Sequence, residues 1–334
     1  MNQPIDKQSE YIIRAFPDIT RRRKIDRQTF TKLETKAKIL DILWYMEDHY
    51  ALIGQAYKNF EMSLFEVAFD VRHLSKRDTG EVIWPGRQKI RISLIALLNA
   101  IQTYFGNLRK YYIKDLKELT QEDWSGMKNQ LLHSHTTRLE RRIMRTLRNC
   151  ITHDPYTDIP GSIHCKPETP GTENSPQRHR ITNDPTIAID ILARNQEFKR
   201  EFGDEIKIMR QGECNSFDVK FMLRGYIEEV AKIHGMFREK TESLFNDILN
   251  TLRETEMNMF SDAEIPPIIQ LVEFNAKNND KELYHIGHKQ HFLLKDRRQE
   301  WQNLSSEQKY YYSSEIISRS NKYPQEDPEV WIAR

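Results

Sequence analysis

The stretch from Ile90 to Leu108, IRISLIALLNAIQTYFGNL, decides how the rest of the chain is read. Ile90, Leu94, Leu97, Leu98, Ile101, Phe105 and Leu108 recur at steps of three and four, which gathers their side chains on one stripe of an α-helix. So wide an apolar stripe has to be covered by other elements, and the spacing predicts a core helix.

Toward the N-terminus, residues from about Thr31 to Asp70 include no proline and a single glycine, Gly54. Leu33, Ala37, Leu40, Trp44, Ala51 and Ala56 recur there near a helical period, so one or two long helices are expected. Between the two stretches KRDTGEVIWPG carries Gly80, Pro85 and Gly86, which predicts a break. Toward the C-terminus, after TQEDWSG, a third helical segment is expected from about Met127 to His153, with Leu132, Leu139, Ile143, Leu147 and Ile151 as its apolar line. Asp154 followed by Pro155 marks its end, because proline pushes the residue before it out of the helical region.

Residues 155–185 hold six of the thirteen prolines and read as an exposed loop insertion. Two short alternating runs follow, TIAIDILA with Ile187, Ile189 and Ile191, and EIKIM with Ile206 and Ile208, which predict a β-hairpin over 186–210. Asn215 or Ser216 can then cap a last long helix running to about Phe260. The expected fold class is mainly α: a helical bundle over residues 31–260 with a small β-hairpin inserted before its last long helix. Residues 1–30 form an N-terminal extension in this reading, and 261–334 a C-terminal extension of unassigned fold.

Composition narrows the function classes. Across 334 residues, 38% are hydrophobic, enough for a substantial core, while 30% are charged and balance to +2. The field of the whole molecule is therefore weak, and affinity for nucleic acid has to come from a local patch. Cys150, Cys165 and Cys214 are odd in number and widely spaced, against both a disulfide scaffold and a zinc ribbon. No apolar run has the length of a signal peptide or a membrane span, so a cytoplasmic protein with no membrane partner is expected. Walker, GxGxxG and GxSxG signatures are absent from the sequence.

The segment that carries chemistry is RNCITHDP, residues 148–155, at the end of the third helical stretch. Asn149 and His153 are four apart and share a helical face, whereas Arg148 and His153 are five apart, about 140° around an ideal helix. Arg148 and His153 converge only if the helix loosens between them or a twofold partner supplies the proximity. Such a trio suits phosphoryl transfer on RNA without a metal. A histidine exchanges the proton of a ribose hydroxyl or leaving oxygen near neutral pH. An arginine offers a permanent planar charge to phosphate oxygens, and an amide orients either partner without adding charge.

An arginine, an asparagine, three variable residues and a histidine on a helical bundle resemble the HEPN superfamily of RNases and nucleotide-binding domains; here the pattern is Arg148, Asn149, Cys150, Ile151, Thr152, His153. The resemblance covers roughly residues 30–260. It implies a metal-independent endoribonuclease that cleaves RNA by 2′-OH attack, with His153 as general acid or base, Arg148 as transition-state stabiliser and Asn149 as orienter. It implies further a homodimer with facing motifs and no cofactor, set in a toxin-antitoxin or anti-phage system with an antitoxin or regulatory protein among its partners. Arg145, Arg141 and Thr152 are the expected auxiliary RNA contacts. Two other readings stand beside this one. Domains of this kind can bind a nucleotide or protein without cleavage, and a cationic pair at a helix C-terminus can simply satisfy the last carbonyls. The arginine run from Arg138 to Arg145 reads more readily as a solvated face than as an RNA track. His285, His288 and His291 in HIGHKQH are metal-ligand candidates if they share a helix, although Gly287 intervenes. His133 and His135 are two apart and would diverge.

Overall fold

A computed structural model describes residues 10–16, 20, 22–73, 79–137, 139–153, 161–169, 177–211, 215–260, 268–274, 281–286, 288–301, 304, 316–320 and 331–332. The fold is mainly α. Strands β1 (Glu10–Phe16) and β2 (Arg22–Lys24) lead into α1 (Arg27–His73), and α2 follows (Thr79–Asn107). One wide π-helical turn (Leu108–Tyr112) joins α2 to α3 (Ile113–Thr120), and then come α4 (Ser125–Thr137) and α5 (Leu139–His153). Strands β3 (Gly161–Thr169) and β4 (Gln177–Ala188) precede α6 (Ile189–Leu192), α7 (Gln196–Gln211), β5 (Ser216–Asp218) and the long α8 (Val219–Phe260). The chain closes with β6 (Ile268–Phe274), β7 (Lys281–Ile286), α9 (His288–Gln299), β8 (Ile316–Ser320) and β9 (Trp331–Ile332). Among the described residues no helix is long and apolar enough to cross a membrane.

Local chemistry sets the helix starts. Asp26 accepts the backbone N–H of Thr29 at 2.8 Å and its hydroxyl at 2.8 Å, so α1 begins at Arg27, a turn before the apolar periodicity does. Asp218 does the same for α8 by accepting from the Phe221 N–H at 3.0 Å. The cap of this helix is therefore Asp218, whereas Ser216 lies in β5.

Of the break expected over residues 76–86, residues 76–78 lie outside the described residues, whereas Gly80, Pro85 and Gly86 fall inside α2, which begins at Thr79. Pro85 is the seventh residue of α2, past the first turn, so its missing N–H costs one intrahelical bond although its fixed φ is helical. Gly86 serves packing instead of a turn: a Cβ placed on it would come within 2.7 Å of Val67 Cγ2, so the missing side chain lets α2 close on α1.

The hairpin also stands elsewhere than expected. It precedes α8 but is made of β3 and β4, inside the proline-rich segment, with Ser162 opposite Asp184 and Cys165 opposite Ile181. Residues 189–192 and 196–210 of the expected hairpin are helical. Phe198, Phe202 and Ile206 are buried at a spacing of four, while Ile208 is 67% exposed, so EIKIM is one helical turn whose two isoleucines point apart. Asn195 Oδ1 starts this helix by accepting from the Phe198 N–H at 3.1 Å.

The chain divides into two units. The first comprises Met1–Ala51, Gly106–Lys128 and His234–Gln302. Its core joins Leu33, Leu40, Leu43 and Met46 of α1 to Leu116 of α3 and to Phe237, Ile248 and Leu252 of α8. Its antiparallel sheet runs β2-β1-β6-β7, with Ile13 opposite Leu271, so both segments left outside the expected bundle meet in one sheet. The second unit comprises Leu52–Phe105, Asn129–Ile233 and Asn303–Arg334. Phe60 and Leu64 of α1, Leu94, Leu97 and Ile101 of α2, Ile143 and Leu147 of α5, and Leu223 and Val230 of α8 form its core. Its strands are ordered β5-β4-β3-β9, with β8 paired to β4.

Candidate functional site

Helix α5 positions the motif. Ile143, Met144, Leu147, Cys150 and Ile151 are buried and fix the helix against the core of the second unit, which leaves Arg148 and Asn149 half-buried and Thr152 exposed at its edge. The backbone stays helical through His153, whose side chain lies outside the described residues, as do Asp154 and Pro155. The helix therefore does not end or bend between Arg148 and His153, and the two positions stay about 140° apart around its axis.

Arg148 is held by two amide oxygens. Its Nε–H donates to Asn99 Oδ1 of α2 at 2.9 Å, and its Nη1–H donates to Asn149 Oδ1 at 3.0 Å. A guanidinium can only donate, so both asparagines must present oxygen to it. Nη2 of Arg148 makes no hydrogen bond among the described residues, and no carboxylate there pairs with this side chain. Among the described residues, the charge is thus fixed in place without being neutralised. Thr152 donates its hydroxyl to the Arg148 carbonyl at 2.7 Å, and Arg91 of α2 reaches the Ile151 carbonyl at 3.5 Å, where the negative end of the helix dipole favours a cation.

The other arginines of α5 differ. Arg141 is buried, 3.4 Å from Glu229, with its guanidinium 4.0 Å from the centre of the Phe105 ring. It braces the core of the second unit, so its expected place as an RNA contact is withdrawn, and the run is not one solvated face. Arg142 lies 3.6 Å from Glu205 and 4.2 Å from the centre of the Phe202 ring. Arg145 is half-buried, and Arg138 falls outside the described residues. Tyr226 of α8 lies behind this row; burial raises its phenol well above the usual range, Arg141, Arg145 and Arg148 pull it down, and Glu229 pushes it further up.

A contrasting polar cluster lies in the first unit. Glu47 of α1 accepts from Arg238 at 3.0 Å on one oxygen and 2.6 Å on the other, and from His234 Nε2 at 3.1 Å. The His234 ring stacks on Tyr50 with centroids 3.8 Å apart. Burial alone would raise the Glu47 carboxyl, but the hydrogen bonds and charges of His234 and Arg238 bring it down to about 2. Burial lowers His234 against the opposing pull of Glu47. Among the described residues no group of histidines, cysteines and carboxylates could hold a metal. His285 lies in β7, whereas His288 and His291 lie in α9, so the three do not share one helix.

Sequence reasoning missed Asn99 and Arg91. Asn99 interrupts the apolar run of α2, and asparagine is unfavourable inside a helix unless its side chain has a task. No family model matches the sequence, and neither the curated proteins nor the solved structures contain a match.

Proposed function

We propose that the protein is a metal-independent endoribonuclease whose site is built around Arg148, Asn149 and His153. The observation that carries this reading is the clamp on Arg148: a cation oriented by neutral oxygens keeps its charge for an anion, such as the phosphate of an RNA backbone. In this reading Arg148 stabilises charge developing on the phosphate oxygens, and His153 relays the proton of the attacking 2′-OH or the leaving 5′ oxygen. Asn149 orients Arg148.

Because Arg148 and His153 diverge along one helix, the proposed site is composite, with Arg148 of one copy facing His153 of another in a homodimer. A toxin-like or anti-phage setting, regulated by a partner protein, belongs to the same proposal. The test is incubation of wild type and His153→Ala with total and transfer RNA in EDTA, followed by analysis of the fragment ends. Cleavage by wild type alone, leaving 2′,3′-cyclic phosphate, is the expected result. Equal fragments from both proteins would exclude His153 as the proton relay, and none from folded wild type would shift the reading to a binding module.

A further inference from the structure

We infer that Asn99 is a positioning residue of this site, and that its being an amide instead of a carboxylate keeps Arg148 competent to bind a phosphodiester. The inference rests on the nuclease reading and deepens it by assigning a residue on a second helix. The comparison lies within the molecule. Arg141, Arg142, Arg224, Arg238 and Arg298 each lie within ion-pair distance of a glutamate: Glu229, Glu205, Glu61, Glu47 and Glu242 respectively. Arg148 is held as firmly, at 2.9 and 3.0 Å, yet by oxygens that carry no net charge. An aspartate at position 99 would have the same length and offer the same acceptor oxygen, so it would hold the guanidinium equally well. It would also form an ion pair with it, and an arginine already paired has less to offer a phosphate. Asn99 thus fixes the plane of the guanidinium and leaves Nη2, which has no partner among the described residues, for the ligand.

The acceptor at Nε matters for geometry as well. Arginine has four side-chain torsions, and two bonds at different nitrogens, one to α2 and one to α5, restrain the plane in two directions. Arg148 thereby reaches its working position without being ordered by the RNA.

The test separates holding from charge. Wild type, Asn99→Asp, Asn99→Ala, Arg148→Ala and the double variant Asn99→Asp/Arg148→Ala are titrated with a fluorescent single-stranded 2′-O-methyl RNA, which lacks the attacking hydroxyl, over a range of salt. Thermal midpoints are read on the same samples. Arg148→Ala should lower the slope of log affinity against log salt by about 0.7, the loss of one phosphate contact on a single strand. Asn99→Asp should lower it equally while its thermal midpoint is at or above that of wild type, and in the Arg148→Ala background, where the new carboxylate has lost the guanidinium it would pair with, it should weaken binding further. Asn99→Ala should weaken binding with a smaller change of slope, and cleavage of ordinary RNA should fall by up to about 100-fold in kcat through misplacement of the guanidinium. A wild-type slope for Asn99→Asp overturns the inference. Equal slopes for wild type and Arg148→Ala overturn the phosphate contact at Arg148 itself, and that failure is read separately, on variants that leave Asn99 intact.

Discussion

Two clusters of charged side chains, one in each unit, are built on opposite plans. In the first unit Glu47 is enclosed by Arg238 and His234, and the attached Arg298 donates to Glu242 at 2.8 Å and to the Arg238 carbonyl at 2.7 Å. Every charge there meets its opposite, and the cluster ties α1, α8 and α9 together. In the second unit Arg148 is oriented with equal care but, among the described residues, its side chain meets only amides. A buried charge that is matched has its desolvation offset by its partner, and breaking the match leaves that partner stranded. A charge that is held and left unmatched contributes less to folding and is available for binding.

The comparison breaks most visibly at Glu47. Glu47→Ala leaves Arg238 without its carboxylate in a buried setting and should destabilise the protein by about 3–5 kcal/mol in urea unfolding. Arg141→Ala, which strands Glu229, should act in the same range. A loss below about 1 kcal/mol in both variants would mean that matched charges contribute no more to the fold than an exposed pair does.

A smaller effect is expected at the helix contact that the second unit depends on. Gly86→Ala forces a methyl group toward Val67 and should destabilise by about 1–3 kcal/mol, with Val67→Ala restoring part of the loss. No change on thermal unfolding would show that α1 and α2 part freely at that point.

The smallest effect is a pH dependence of the matched cluster. His234 is depressed below its ordinary 6.5, so the unfolded chain takes up a proton first as the pH falls, and stability present above pH 6.5 is lost below it. Glu47, depressed from 4.5 to about 2, acts in the same direction between those two values. His234→Gln keeps a donor for Glu47 without titrating, so its urea midpoint should fall less than that of wild type between pH 7 and pH 5. Parallel falls would place the acid sensitivity on other groups.

The apolar stripe from Ile90 to Leu108 was legible because a helix is a local pattern, and Leu94, Leu97, Leu98 and Ile101 are indeed buried. EIKIM misled because a two-residue alternation is too short to distinguish a strand from a turn of helix; the neighbouring Phe198 and Phe202 settle the period. Gly86 reads as a turn residue in sequence, since its task, closeness to Val67, is visible only when two helices are brought together. The first sheet was illegible for the same reason, because β1 finds its partner in residues 268–274. Within the candidate site, Arg148, Asn149 and Thr152 are adjacent in sequence and could be read together. Asn99 lies 49 residues before Arg148, and what sets Arg141 apart, its burial against the Phe105 ring and the Glu229 that faces it from α8, is not local in sequence. Spacing does not reveal which arginine will be neutralised.

The most direct test of that distinction is a pair of readouts on one variant, Arg148→Ala: the initial rate of RNA cleavage in EDTA and the thermal midpoint of the same sample. The rate should fall by about 100-fold or more, the scale for removing a group that stabilises developing charge, while the midpoint shifts by only a few degrees. An unchanged rate, or a midpoint that falls as far as that of Glu47→Ala, would contradict the account and make Arg148 one more structural arginine.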